Sequence, residues 1–413
     1  VSGPGSRRPQ GQARPGGSVQ GQPSPGRPRR GAGDGARRLA LRVLVRIEGG
    51  AYANLALPGE LARSGLPPRE RRLATELVYG TTRMRRACDW LVGRHLRSQV
   101  LDPAVCSALR LGAYQLAFTR VPPHAAVSSS VGLAPERARG LVNAVLRRVA
   151  GDLPPTWPDR ATELSYPDWV VAKLEADLGP ERAGAALAAM NRPIAPVVRA
   201  DGYVQDRASR WVAELVGAQP GERVADLCAA PGGKATALAG PGGAEGPALV
   251  VACDLRPRRA RLLARNARRL GRDRLAVVVA DGRHPPVAGA TLDRVLVDAP
   301  CSGLGSLARR PDARWRVRPD DVDRLVGLQR QLLLGAAGLV RPGGVLAYSV
   351  CTLTRAETVE VDEWLASCRP DLVPLDPPGE PWAPWGRGGL LLPQATGTDG
   401  MYLLRLRRRG SPG

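Results

Sequence analysis

The chain has 413 residues, room for about two or three domains with substantial cores. Its 60 lysines and arginines against 38 aspartates and glutamates leave a net charge of +22, which points to a polyanionic partner, nucleic acid above all. Seven cysteines without a CxxC pair and three scattered histidines offer no metal-ligand spacing and fit a reduced, cytoplasmic protein with no metal, and no apolar run reaches the ~18–20 residues of a membrane span.

Residues 1–35 are rich in Gly, Pro, Gln, Ser and Arg. They lack both the apolar content of a core and the apolar segment of a secretory signal, so a disordered basic tail with non-specific phosphate affinity is expected. Residues 36–152 carry apolar residues at helical spacing, as in Leu39, Val43, Leu44 and Ile47, then Leu73, Leu77 and Val78, then Leu109, Leu111, Tyr114 and Leu116, and finally Val142, Val145 and Leu146. Pro122-Pro123 and Pro154-Pro155 punctuate them, and the pattern predicts an all-helical bundle. Residues 153–203 read as a helical linker, with helices over 169–178 and 182–190 separated by Gly179-Pro180.

From residue 204 to 409 short β-branched runs alternate with helical ones. Strands are predicted over 224–227, 249–253, 275–279, 294–297, 345–349 and 401–406, with helices over 206–217, 234–239, 256–270, 321–340 and 355–367. This alternation predicts an α/β domain with a mostly parallel sheet covered on both faces, and the last strand is a candidate for antiparallel addition.

The first of these strands runs into the turn Cys228-Ala229-Ala230-Pro231-Gly232-Gly233-Lys234. It is not a Gly-x-Gly-x-x-Gly fingerprint, and Cys228 and Ala235 stand where a P-loop needs Gly and Ser/Thr. Carboxylates follow the next three strands, namely Asp254, Asp281 and Asp298. In a doubly wound sheet these share the ligand-binding edge, where one suits a ribose diol and another an adenine amino group. A ligand with ribose and adenine but no phosphate, approached closely by Gly232 and Gly233, fits S-adenosylmethionine. Lys234 is one of only two lysines, with Lys173, in a chain that otherwise uses Arg, which marks a place for a compact ammonium rather than a planar fork.

Two cysteines stand apart from the rest. Cys301 follows Asp298-Ala299-Pro300 and Cys351 follows Tyr348-Ser349-Val350, each just past a strand end. Cys88, Cys106, Cys228, Cys253 and Cys368 lie in or beside helices and strands and read as inert thiols. The C5 carbon of a pyrimidine is a poor nucleophile until a thiolate adds to C6; the C5 proton must then leave and the thiol be expelled. Two cysteines can divide that work, with Asp298 stabilising charge on the ring. Spacing alone leaves open which thiol is the nucleophile.

Taken together, Asp226-Leu-Cys-Ala-Ala-Pro-Gly-Gly-Lys234, Asp298-Ala-Pro-Cys-Ser-Gly-Leu-Gly305, Arg310-Pro-Asp312 with Trp315, Arg341-Pro-Gly-Gly344, Tyr348 to Cys351 and Gly397-Thr-Asp-Gly400 resemble the Sun-type RNA cytosine-C5 methyltransferases over about residues 204–408. Glu76-Leu-Val-Tyr-Gly80, Leu109 to Leu116, His124-Ala-Ala-Val127 and Gly140 to Arg147 resemble the NusB-like RNA-binding domain of the RsmB-type, 16S ribosomal RNA branch. The resemblance implies a NusB-like bundle followed by a Rossmann-like (class I) methyltransferase domain. It also implies S-adenosylmethionine held by Cys228 to Lys234, Asp254, Asp281 and Asp298, with Cys351 as nucleophile and Cys301 aiding proton loss and product release. Lys234 and Asp298 complete the expected catalytic set. A monomer acting on 16S ribosomal RNA, free or in an assembling small subunit, is expected. A transfer RNA substrate and a catalytically idle ribosome-assembly factor are the alternatives. This chain departs from the family pattern at Val350 and Thr352 around Cys351 and at Thr358, and it passes from Met190 to Asp206 without room for the small α/β RNA-binding subdomain usual there.

Overall fold

The computed structural model describes residues 34–97, 101–240 and 246–410, so the expected tail over 1–35 lies outside it apart from Asp34 and Gly35, which open the first helix. The N-terminal part is built of α1 (Asp34–Glu48), α2 (Ala53–Arg63), α3 (Pro68–Arg83), α4 (Arg85–Gly93), α5 (Pro103–Phe118), α6 (Pro123–Leu133) and α7 (Arg139–Gly151). Prolines open α3, α5 and α6, where a missing N–H costs nothing, and the Asp102 carboxylate caps α5 by accepting from the Ala104 amide at 2.8 Å. The predicted stripes meet in one core of Leu39, Val43, Leu77, Leu91, Leu109 and Leu146. Two close approaches between helices require glycine in this part of the chain. A Cβ on Gly80 of α3 would stand 2.0 Å from the Tyr114 hydroxyl of α5, and that hydroxyl donates to Glu76, one turn before the glycine. A Cβ on Gly112 would meet Leu146 of α7 at 2.3 Å.

Next come α8 (Arg160–Leu164), α9 (Asp168–Leu178) and α10 (Pro180–Met190). The five-residue α8 is too short for periodicity to show, and it is started by Asp159, which accepts from the Thr162 amide at 2.7 Å. Val170, Leu174, Leu187 and Met190 join the core beneath the sheet rather than that of the bundle. Between Met190 and Asp206 the chain makes one isolated antiparallel bridge, Val198 to Val204.

The C-terminal part runs α11 (Arg207–Val216), β1 (Arg223–Asp226), α12 (Gly233–Leu238), β2 (Leu249–Asp254), α13 (Pro257–Arg269), β3 (Leu275–Val279), β4 (Leu292–Asp298), α14 (Pro319–Leu339), β5 (Val340–Val350), α15 (Val359–Cys368), β6 (Leu372–Pro374), β7 (Ala383–Trp385), β8 (Gly388–Leu391), α16 (Pro393–Thr396) and β9 (Met401–Arg408). The sheet order is β3-β2-β1-β4-β5-β9-β8-β7, with β6 also on β9. The first five are parallel and β9, β8, β7 and β6 pair antiparallel, so the chain ends as expected, in an antiparallel addition to a parallel sheet. Alternate residues feed two cores: Ala225, Val295, Leu346 and Leu404 face one way, and Val224, Leu296, Ala347 and Leu403 face the other. The order reverses between β1 and β4, and that reversal opens a crevice at their carboxyl ends.

Two differences from the sequence reading have local causes. Helix α15 begins at Val359 rather than 355, because residues 351–358 form a hydrogen-bonded loop beside the thiols. Strands β6, β7 and β8 are three or four residues of Pro, Gly and Trp-containing sequence, too short to alternate.

The segment after Cys301 fastens the two parts together. Arg314 is fully buried and donates to the backbone carbonyls of Arg83 (3.2 Å) and Ser165 (3.1 Å) and to the Asn191 side chain (3.0 Å), with its guanidinium 3.9 Å from the Tyr166 ring centre. Trp315 donates its indole N–H to the Thr82 carbonyl at 2.7 Å. Thr82 and Arg83 end α3, so a cation and a donor satisfy carbonyls left open at a helix C-terminus, the negative end of its dipole. In return the Asp312 carboxylate accepts from the Ala53 amide at the start of α2 at 3.3 Å. Among the described residues no helix is long and apolar enough to cross a membrane.

Candidate active site

Parallel pairing sets Asp298 of β4 opposite Ser349 of β5. The two chains then leave the sheet side by side, and Cys301 and Cys351 meet with their sulfurs 3.3 Å apart. Buried side chains hold the two loops together. Fully buried Glu357 accepts from the Ser302 amide (2.8 Å) and hydroxyl, from Thr354 (3.1 Å) and from Gln329 (3.1 Å). Gln329 of α14 also donates to the Pro300 carbonyl at 3.0 Å. Gly305 donates to the Cys351 carbonyl at 2.9 Å, and a Cβ there would strike the Gly400 carbonyl at 2.4 Å, so the two glycine-containing motifs interlock.

Lys234 ties the thiols to the cofactor-type turn. Its ammonium is buried and lies 2.7 Å from Asp298, whose other oxygen accepts from Ser349 at 3.1 Å. Burial opposes the charge on Lys234, but Asp298, then Cys351 and Asp226, hold its pKa above the ordinary value. A hydrogen bond from Cys301 holds the Cys351 thiol below its ordinary value against burial and Asp298, and Arg310 and Lys234 add positive charge on the same side. The same hydrogen bond and burial hold Cys301 well above the ordinary thiol range. One thiolate, centred on Cys351 and shared with a neighbouring S–H, is the state this geometry favours.

The remaining expected residues line the β1–β3 side of the crevice. Asp254 ends β2 and accepts from the Arg256 amide at 2.9 Å. Asp281 follows β3 and is held below the usual carboxylate range by Arg283, 2.6 Å away. In the turn, Ala229 donates to the Cys253 carbonyl at 2.8 Å, and Asn266 and Arg259 donate to the carbonyls of Pro231 and Ala230. Gly232 has φ +108°, and a Cβ there would lie 2.4 Å from Leu263, which explains why glycine stands at this point. Burial holds the Cys228 thiol well above the ordinary range, so it is not poised as a thiolate.

A family model described as 16S rRNA methyltransferase RsmB/F matches residues 213–407, and a NusB family model matches 34–151. The chain is 38% identical over 405 residues to the ribosomal RNA small subunit methyltransferase B of Thermus thermophilus, covering 91% of this chain and 98% of that one. It is 30% identical over 431 residues to the enzyme of the same name from Pseudomonas putida, covering 90% and 98%. This chain belongs to the RsmB/F family of 16S rRNA methyltransferases. The crystal structure of PH0851 has the same fold, with a TM-score of 0.73 at 21% identity over 91% of this chain and 99% of that one.

The cofactor of the RsmB/F family is S-adenosylmethionine, and the residues present fit it. The Asp226 Oδ2 at the end of β1 is buried without a hydrogen-bond partner among the described residues, beside a glycine turn and within a row of strand-end carboxylates. Its pKa is pushed up to about 7, by burial first and then by Asp298. A donor arriving with a ligand would satisfy it. Sequence reasoning quoted Asp226 only as the start of a motif. Arg310 and Asp399, a buried carboxylate 3.3 Å from Arg309, likewise stood inside quoted motifs without a role, Glu357 was noticed only as the neighbour of Thr358, and Gln329 was missed. The chain offered one signal for Glu357: a Glu six residues after a candidate thiol in a predicted helix that fails to start there.

Cys301 also lines a cleft of about 530 Å³ between the two parts of the molecule. Tyr52 and Asn54 of the bundle form one wall, and Arg256, Arg310, Arg316 and Arg324 outnumber Asp312 and Asp321 in the lining, so the cleft keeps positive charge. Arg316 stacks 4.3 Å from the Tyr52 ring centre. Cations interleaved with an aromatic suit a single-stranded polyanion with exposed bases.

Proposed function

We propose that the protein transfers a methyl group from S-adenosylmethionine to C5 of a cytosine in 16S ribosomal RNA through a transient bond between Cys351 and C6. The observation that carries this reading is the thiol pair at 3.3 Å with the Lys234–Asp298 ion pair beside it.

The Cys351 thiolate adds to C6 and the displaced ring electrons move toward N3, where the Asp298–Lys234 pair offers hydrogen bonding and a compensating charge. The electron-rich C5 then takes the methyl group, which S-adenosylmethionine supplies as a sulfonium-activated electrophile. Solvent water in the open cleft takes the C5 proton, and the C–H bonding pair restores the C5–C6 double bond as Cys351 is expelled as a thiolate. Cys301 assists that elimination and receives the departing sulfur through its hydrogen bond. Asp254 and Asp281 would accept from the ribose and adenine of bound S-adenosylmethionine, and the turn from Cys228 to Lys234 would hold its methionine end. The basic interdomain cleft and the NusB-like bundle support RNA over a small substrate, and a monomer acting on free RNA or an assembling subunit is the simplest arrangement.

Bisulfite sequencing of 16S ribosomal RNA from cells with and without the gene tests the reaction directly: one cytosine should lose its methylation in the deletion strain and regain it on complementation. Complementation with Cys351→Ala should fail to restore it. Purified Cys301→Ala should accumulate a covalent protein–RNA adduct on a denaturing gel. No adduct from that variant, or normal methylation by Cys351→Ala, overturns the division of labour between the thiols.

A further inference from the structure

A second cavity, of about 190 Å³, lies at the joint between the bundle and the catalytic part, and the reaction above does not use it. Its mouth is at exposed Glu48 and Gly50, and its lining includes Thr81 of α3 and Ser107 of α5, both at least 98% buried. The hydroxyl oxygens of Thr81 and Ser107 have no hydrogen-bond partner among the described residues, although a buried hydroxyl costs about 1–3 kcal/mol when left unmet. Trp315 forms part of the wall, with the Arg85 guanidinium 5.8 Å from its ring centre. Asp312 and Arg316 line both this cavity and the cleft that holds Cys301, so the two adjoin.

We propose that this cavity is a second RNA subsite that takes one unstacked nucleobase of the strand whose target cytosine enters the thiol cleft. Size supports a single ring system: a cavity of about 150 Å³ accepts benzene, and the present one is well below the ~300 Å³ at which pockets for drug-sized ligands begin. Chemistry supports a base rather than a bare phosphate. An indole and a guanidinium offer flat faces to stack on, and two unpartnered hydroxyls, each able to donate and accept, can read a base edge. The cations Arg85, Arg110 and Arg316 are answered by Glu48 and Asp312 in the same lining, which leaves little net charge to hold a free anion. Splaying two bases of one strand into adjoining sites would fix its register, so that one cytosine is chosen over others by what stands near it.

The inference rests on the reading of the protein as an RNA methyltransferase, and two measurements keep the claims separable. Methyl transfer from radiolabelled S-adenosylmethionine to 16S ribosomal RNA gives KM for each substrate, and filter binding gives RNA affinity without catalysis. Ser107→Leu, which fills the cavity from its buried side, should raise KM for RNA about tenfold and weaken RNA binding to match, as expected for losing one stacked base. KM for S-adenosylmethionine should stay at the wild-type value, which a general loss of structure would not allow. Thr81→Val, nearly isosteric and without the hydroxyl, should show a smaller shift in the same direction, and it carries the test if Ser107→Leu does not fold. Unchanged RNA binding and RNA KM in the folded variants would mean that the cavity holds only water, and would overturn the proposal. If the wild-type chain transfers no methyl group yet Thr81→Val still weakens RNA binding, the subsite stands and the catalytic reading fails.

Discussion

Along one carboxyl edge of the sheet, the β1–β2 end presents a single turn whose carbonyls are held by neighbouring donors, and the β4–β5 end joins two separate loops through a buried carboxylate. At the first end the turn after β1 is held by contacts to its own carbonyls from Asn266 and Arg259 and by a glycine that admits Leu263. At the second end two loops, 50 residues apart at their thiols, are joined through Glu357 and Gln329. A ligand-binding turn needs shape, which a glycine at positive φ and two donors from α13 supply here. A pair of reacting thiols needs an exact separation, which only a network over-determined from several elements can hold.

The sharpest way to break the comparison is at Glu357. Glu357→Ala leaves the Ser302 amide and the Gln329 and Thr354 donors without their acceptor in a site that excludes water. Stability should fall by about 3 kcal/mol or more, which thermal unfolding reads as a drop of about 5–10 °C. RNA adduct formation in the Cys301→Ala background should fall with it, because the Cys351 loop loses its anchor. An unaltered melting temperature with full adduct yield would mean that the thiol loops stand without the network.

That contrast also explains what the chain disclosed before folding. The turn, the strand-end carboxylates and both thiols were legible because each sits within a few residues of an apolar strand. The parallel strands were legible because Val250–Cys253, Val295–Val297 and Val345–Tyr348 are buried on both faces and read as apolar runs. Glu357 was not legible, since a Glu in a helical-looking stretch is ordinarily solvent-facing, and only the fold takes its exposure to zero. Arg314 was illegible for the same reason. One arginine among many in a basic chain gave no sign that it would be buried against Tyr166 and the end of α3. The small hairpin strands β7 and β8 escaped notice because neighbours, not propensity, define them.

A second test separates the two ends by pH. Asp226 belongs to the cofactor end, and its folded-state pKa of about 7 stands above the ordinary carboxylate value. Over the range between those values the folded protein holds a proton that the unfolded chain has released, so its contribution to stability is lost as pH rises toward 7. Asp226→Asn removes that dependence. At pH 8 the ligand-free variant should be more stable than wild type by about 1 kcal/mol or more, and the gain should vanish near pH 4. S-adenosylmethionine should stabilise wild type more than the variant at pH 8. A variant gain that is equal at both pH values would show that the buried carboxylate is not what titrates.

The smallest effect probes how charge reaches Cys351 from its two sides. Lys234 is buried and paired with Asp298, whereas Arg310 is exposed at the mouth of the cleft. Both lower the Cys351 pKa, so the thiolate fraction, and with it the rate at saturating RNA, should rise with pH. Arg310→Ala removes one cation and should move that rise to higher pH, slowing the enzyme about two- to fivefold at pH 7 and hardly at all at pH 9. Salt discriminates between the two cations, because a Debye length of about 8 Å at 0.15 M screens an exposed charge far more than a buried one. Raising salt should therefore shift the wild-type profile toward that of Arg310→Ala and leave the variant's own profile in place. RNA must be kept saturating in both arms, since salt also weakens phosphate contacts. If salt moves both profiles equally, the cation that tunes Cys351 lies elsewhere in the cleft.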